Sequence, residues 1–102
     1  MSDFEINVVN KRDGIPGEYI GRPSLLGNPF TIGTHGTRDE VIAKYREWLW
    51  DAMVPGSEVM AEIDRLAEKL ITQRGLTLVC WCAPQRCHGH VLADAIHWRN
   101  NP

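Results

Sequence analysis

No apolar stretch in the 102 residues approaches the roughly 20 that a helix needs to cross a bilayer. Met1 to Asn10 also lacks the basic start and apolar middle of a secretory leader. No membrane attachment is expected, and the cytoplasm is the expected location. Net charge is equally scarce. Eleven Lys and Arg against 13 Asp and Glu leave −2, so nothing draws the whole chain toward nucleic acid, and such binding would need a local basic patch. Neither GxxxxGK[ST] nor GxGxxG is present, which leaves the standard nucleoside triphosphatase and dinucleotide folds without support. A Ser-His-Asp order and a CxxC pair are missing too. The three cysteines cannot all pair with one another, and a reducing cytosol would discourage pairing, so they are read as thiols or metal ligands.

What is present is an ordinary globular composition, 43% hydrophobic and 24% charged, without internal repeats, low-complexity tracts or linkers. A chain of this length is one domain with one core, 1–102. Ile6 to Asn10 reads as a first strand, and Tyr19-Ile20 as a short extended piece. The segment from Gly21 to Phe30, with two Gly and two Pro, is too punctuated for regular structure but carries apolar residues that must be buried, so it is expected as an ordered loop against the sheet. Phe30-Thr31-Ile32 is expected as one more short strand. Thr37 and Glu40 form a capping-box pair ahead of Val41, Tyr45, Trp48, Leu49 and Ala52, which share one helical face. Pro55-Gly56 stops that helix and Ser57 caps the next. Its stripe runs through Val59, Met60, Ile63, Leu66, Ala67, Leu70 and Ile71 and ends near Gly75. Leu76 to Cys82 is an almost unbroken apolar run, expected as a central strand covered on both faces and ended by Ala83-Pro84-Gln85. Val91, Leu92, Ala95 and Ile96 then return at helical spacing. The expectation is an α/β fold with three helices on a small mixed or parallel sheet, and with its active loops at the carboxyl edge of the last strand.

That last strand-to-helix joint holds all three cysteines and two of the four histidines. Free backbone N–H groups at a helix start suit an anion, so Arg86, Cys87, His88 and His90 are expected around a pocket. Cys87 would sit at the positive end of a helix dipole beside Arg86 and His88, conditions that lower a thiol pKa. Cys87 and His88 are thus the catalytic candidates, set against the plainer reading of a structural cysteine. Arg22, Ser24 and Asn28 from the Gly/Pro-rich loop, with Arg86 from the other, are the candidates for holding a phosphate through guanidinium and hydroxyl donors. Individually, Arg22 reads as a surface ion-pair residue and Asn28 as a turn residue before Pro29. Cys82, Cys87, His88 and His90 have the ligand types zinc prefers, with Cys80 upstream, but not the spacing of a standard finger. The favoured reading is buried small thiols and helix-cap histidines, with no metal among the expected site residues. Cys80 and Cys82 would share one strand face, with Trp81 on the other. Trp48 falls on the apolar stripe of its helix. Trp50 with Met53 is a candidate homodimer or stacking contact, set against a partly buried edge residue.

The segments NVVNKR, YIGRPSLLGNPF, TRDEVIAKYREWL and CWCAPQRCHGHVLADAI, which together span nearly the whole chain, resemble a family of small uncharacterised domains found in bacteriophages and bacteria. The resemblance implies a compact phage or bacterial domain and little specific chemistry. The family pattern has an acidic residue after CHG where this chain has His90.

The functional expectation is a protein that binds a phosphorylated or nucleotide-like small molecule at the strand-to-helix loop. It would act as a nucleotide-processing enzyme or as a phage protein that sequesters a nucleotide signal. The alternative, from another class, is a zinc-stabilised interaction module contacting a host protein or nucleic acid.

Overall fold

The computed structural model describes residues 4–83 and 85–101; Pro84 of the expected Ala83-Pro84-Gln85 turn lies outside them. Three strands, β1 (Ile6–Asn10), β2 (Glu18–Tyr19) and β3 (Leu76–Cys80), form a parallel sheet in the order β1-β3-β2. Three helices complete the fold: α1 (Arg38–Ala52), α2 (Glu58–Gln73) and α3 (His88–Asn100). The sheet is therefore parallel rather than mixed. No helix among the described residues is long and apolar enough to cross a membrane.

The most apolar strand takes the central place. β3 pairs with β1 from Ile6↔Leu76 to Asn10↔Cys80, and with β2 at Glu18↔Leu78 and Tyr19↔Val79. Leu76, Leu78 and Cys80 join the hydrophobic core, whereas on the other face Val79 is buried outside that cluster and Thr77 is half-buried. Coverage is thus fuller on one face than the even burial expected. The strand also stops at Cys80, two residues short of the expected Cys82. The Asn10 side-chain amide donates to the carbonyls of both Trp81 and Ala83, at 3.0 and 2.9 Å, and this bends the backbone away from the ladder. Cys82 consequently lies beyond the strand, half-buried against the same core that holds Cys80.

Helix starts follow local chemistry. Thr37 and Glu40 cap α1 reciprocally, and Ser57 caps α2 through the Met60 amide at 3.0 Å. α2 buries Val59, Ile63, Leu66, Ala67 and Leu70, while Met60 and Ile71 sit at the edges of a stripe narrower than expected. It ends at Arg74, whose φ of 59° is left-handed, with Gly75 following. α1 buries Val41, Ile42, Tyr45 and Leu49. Trp48 is only half-buried, tilted against Tyr45, and Trp50 is half-buried with its ring edge-to-face with Trp98.

The segment Phe30-Thr31-Ile32 is not a strand. Asn28 Oδ1 accepts from the Phe30 amide, His35 Nδ1 accepts from the Thr31 amide, and the Thr31 carbonyl accepts from the His35 amide. These bonds close the loop on itself, so its backbone groups have no need of a sheet partner. Upstream, the Gly21 to Gly27 turn is held by Ser24 N–H to Gly21 O and Gly27 N–H to Ser24 O, and it contains a cis Arg22-Pro23 bond. Leu26 is buried beneath it, and Tyr45 donates its buried hydroxyl to the Leu26 carbonyl at 2.7 Å. The irregular loop is thereby fastened to α1, as the sequence pattern anticipates.

Candidate functional site

Two of the three helices begin near the carboxyl edge of the sheet, and the loops there enclose a pocket of about 220 Å³. Gly21 and Arg22 reach it from just beyond β2, and Asn28, Phe30, Thr31 and Ile32 from the irregular loop. Arg38, Val41 and Ile42 come from the first turns of α1. Trp81, Cys82, Arg86, Cys87 and His88 come from the β3-α3 joint. Arg22, Arg38 and Arg86 all line this wall, and among the described residues no Asp or Glu does.

Among the described residues each arginine side chain has one hydrogen-bonded contact. Arg22 Nη1 donates to Thr31 Oγ1 at 3.0 Å, bridging the two limbs of the loop. Arg38 Nη1 donates to the Arg86 carbonyl at 3.0 Å, tying the start of α1 to the segment before α3. Arg86 pairs with Asp39 at 2.8 Å, a mostly exposed ion pair worth little to stability. A guanidinium carries five donors, so most of each fork stays open.

The remaining expected residues divide. Asn28 lines the pocket, but both ends of its amide serve the backbone, at Phe30 N–H and at the Val41 carbonyl. Ser24 is not on the wall; its hydroxyl is buried without a hydrogen-bond partner among the described residues.

His88 is on the wall but 6% exposed, and its Nε2 lies 2.7 Å from the Ile20 carbonyl. A carbonyl only accepts, so Nε2 carries the proton. Burial pushes the imidazole pKa below its ordinary value, and the neighbouring Arg22 charge adds to the shift. The neutral ring then keeps a lone pair on Nδ1. Its edge-to-face contact with Tyr45, 5.0 Å between centroids, fixes the ring plane.

The thiols differ from expectation. Cys87 is the N-cap of α3: its Sγ accepts from the Gly89 amide at 3.3 Å and lies 3.3 Å from Cys80 Sγ. Both cysteines are buried, Cys82 only half so. Within the pair the hydrogen bond from Cys87 pulls the Cys80 thiol below its usual range, helped by the backbone amides of Cys82 and Ala83. The same bond, with burial, pushes the Cys87 thiol up. The helix-start effect expected for Cys87 is outweighed because a second sulfur sits beside it and takes the negative charge first. His90 completes a capping box, its Nδ1 accepting the Cys87 amide at 3.3 Å. An acidic residue there would accept the same bond, so His90 conserves the cap. Gly89 is required by close packing, because a Cβ at that position would stand 2.9 Å from Val8 Cγ1 and 3.0 Å from Ile20 Cδ1. Among the described residues no three His, Cys, Asp or Glu side chains converge as a metal-ligand set.

Arg38, Phe30, Thr31 and Trp81 are wall residues that the sequence reading missed. For Arg38 a signal existed. It is the first residue after the Thr37 cap, and a helix that follows a parallel strand begins at the carboxyl edge, beside the loops already singled out.

Residues 7–98 match a family described as a domain of unknown function (DUF4326), and the chain belongs to that family. It is also 25% identical over 96 residues to the "Uncharacterized 12.4 kDa protein in nrdA-td intergenic region" of Enterobacteria phage T4, covering 94% of this chain and 70% of that protein. No solved structure matches.

Proposed function

We propose that this member of the DUF4326 family binds a phosphorylated or nucleotide-like small molecule in the pocket at the carboxyl edge of its sheet. The observation that carries the reading is the convergence of Arg22, Arg38 and Arg86 on one wall, where the nearest paired carboxylate, Asp39 on Arg86, belongs to a mostly exposed ion pair outside the lining. Guanidinium forks match phosphate oxygens in geometry and charge, and hydrogen bonds of this kind are about twice as strong as neutral ones. The first turn of α3, anchored between β1 and β2 by Gly89, adds its partial positive charge at the same edge.

The geometry favours binding over covalent chemistry at Cys87. That sulfur caps a helix, is buried, and holds its proton more tightly than a free thiol. His88, neutral and immobilised, is suited to accept a hydrogen bond from a ligand hydroxyl rather than to supply charge. Sequestration of a nucleotide signal fits these properties more directly than turnover does.

The test is a thermal-shift screen with inorganic phosphate, sugar phosphates and nucleotides. A compound held at 100 times its dissociation constant should stabilise the fold by about 2.7 kcal/mol. Arg38→Ala should remove that stabilisation. A flat response to every phosphate-bearing compound would overturn the reading.

A further inference from the structure

On the wall of the same pocket an exposed tryptophan is held in place. Trp81 is the first residue beyond β3, lines the pocket and is 52% exposed. An indole so open to water is ordinarily free to change rotamer. Here its Nε1 donates to the Tyr19 hydroxyl at 3.2 Å, and that hydroxyl donates in turn to the Arg22 carbonyl at 2.6 Å. Lys11 Nζ sits 4.9 Å from the centroid of the Tyr19 ring. The main chain of Trp81 is held as well, by Asn10. Gly21 belongs to the same device, because a Cβ there would stand 2.5 Å from the Tyr19 hydroxyl and displace it. An exposed aromatic ring fixed through both backbone and side chain is pre-organised to receive a flat partner. The half-buried Phe30 and the exposed Ile32 add apolar surface to the pocket wall.

Size narrows the ligand further. At about 220 Å³ the pocket is small beside the roughly 300–1,000 Å³ of sites for drug-sized molecules, which favours a ligand with a single phosphate over a dinucleotide or an extended polyphosphate. We propose that the ligand is a nucleoside 5′-monophosphate, with its phosphate among Arg22, Arg38 and Arg86 and its base stacked on Trp81. This inference rests on the anion-binding reading above but is separable from it, since the arginines alone would hold any small phosphate ester.

The test is calorimetric titration of the full chain with adenosine 5′-monophosphate, adenosine 5′-triphosphate, ribose 5-phosphate and inorganic phosphate, repeated on Trp81→Ala and Trp81→Phe. The nucleotide monophosphate should bind the natural chain at least about tenfold more tightly than ribose 5-phosphate, as base stacking on an aromatic ring implies. Trp81→Ala should bring the two affinities together without weakening ribose 5-phosphate, and Trp81→Phe should restore part of the gap. Equal affinities in the natural chain would overturn the stacking role while leaving the anion site standing, and the comparison needs no variant. Tighter binding of the triphosphate than of the monophosphate would overturn the proposed class. Failure of all four ligands, inorganic phosphate included, would remove both the stacking role and the anion site.

Discussion

At the scale of single residues, the thiols carry the most instructive difference between sequence and structure. Cys87 stands at a helix start next to Arg86, which by local rules makes a reactive thiolate, yet its sulfur is buried, caps Gly89 and faces Cys80. Cys82, pulled off the strand by the Asn10 amide, is the half-buried thiol on the pocket wall. Iodoacetamide at neutral pH should therefore label Cys82 first in the folded chain, with Cys80 and Cys87 protected until denaturation. Peptide mass mapping reads the order, and early labelling of Cys87 would contradict the pairing. His88 makes a second prediction at this scale. Its folded pKa is depressed, so its neutral form supports the fold fully above the unfolded value near 6.5, and that support is lost as pH falls from there toward the folded pKa. Melting temperature should drop over this window, and His88→Gln should flatten the drop. Glu18, whose carboxyl is lowered by its bonds to Lys69 and Arg65, and Glu40, lowered by its capping bonds to Thr37, contribute stability that is lost as pH falls below the ordinary carboxylate value of 4.5, so the upper part of the window, just below 6.5, is the one that reports His88 against these two carboxylates. An unchanged pH slope in the Gln variant would mean that the ring is not the titrating group.

Among elements, α3 is the one whose placement makes the site. Its first turn is seated against Val8 and Ile20 because Gly89 has no side chain. Gly89→Ala should gain about 1 kcal/mol of helix propensity but lose about 1–3 kcal/mol to overpacking, for a net destabilisation with weakened ligand binding. Chemical denaturation checks the first effect, and a more stable Ala variant would contradict the close approach. Regular elements were legible in the sequence because periodicity and caps are local: Thr37 with Glu40, Ser57, and the apolar run from Leu76 each mark what forms. The errors lie where a distant partner decides. β3 ends early because of Asn10, far away in sequence, and Phe30 to Ile32 folds on itself because His35 and Asn28 supply its hydrogen bonds. No window of neighbouring residues contains the first of these facts.

For the whole molecule, the order β1-β3-β2 places the most apolar strand in the middle and gathers both loop clusters at one end of it. Val79 is 6% exposed, so Val79→Asp would bury an unpaired charge in the central strand and should abolish cooperative melting. A soluble variant that melts cooperatively would contradict the architecture. The same topology explains how much of the site could be read in advance. Arg86, Cys87 and His88 were expected at the pocket from strand-loop-helix order, and Arg22 and Asn28 from a Gly/Pro-rich loop taken to lie against the sheet; all five line it, whereas Ser24 turns inward and Arg38 enters from a helix whose start was not connected to this edge. Three cations from three separate segments are the feature from which the functional reading follows. The most direct measurement is therefore the phosphate-ligand thermal shift of Arg22→Ala beside that of the natural chain. The Arg22 side chain is exposed and bonds only to Thr31 among the described residues, so the unliganded melting temperature should stay nearly unchanged, within about 0.5 kcal/mol, while the ligand-dependent stabilisation disappears. A ligand shift that survives intact in the variant, or a variant destabilised equally with and without ligand, would mark Arg22 as a loop tether and contradict the anion site.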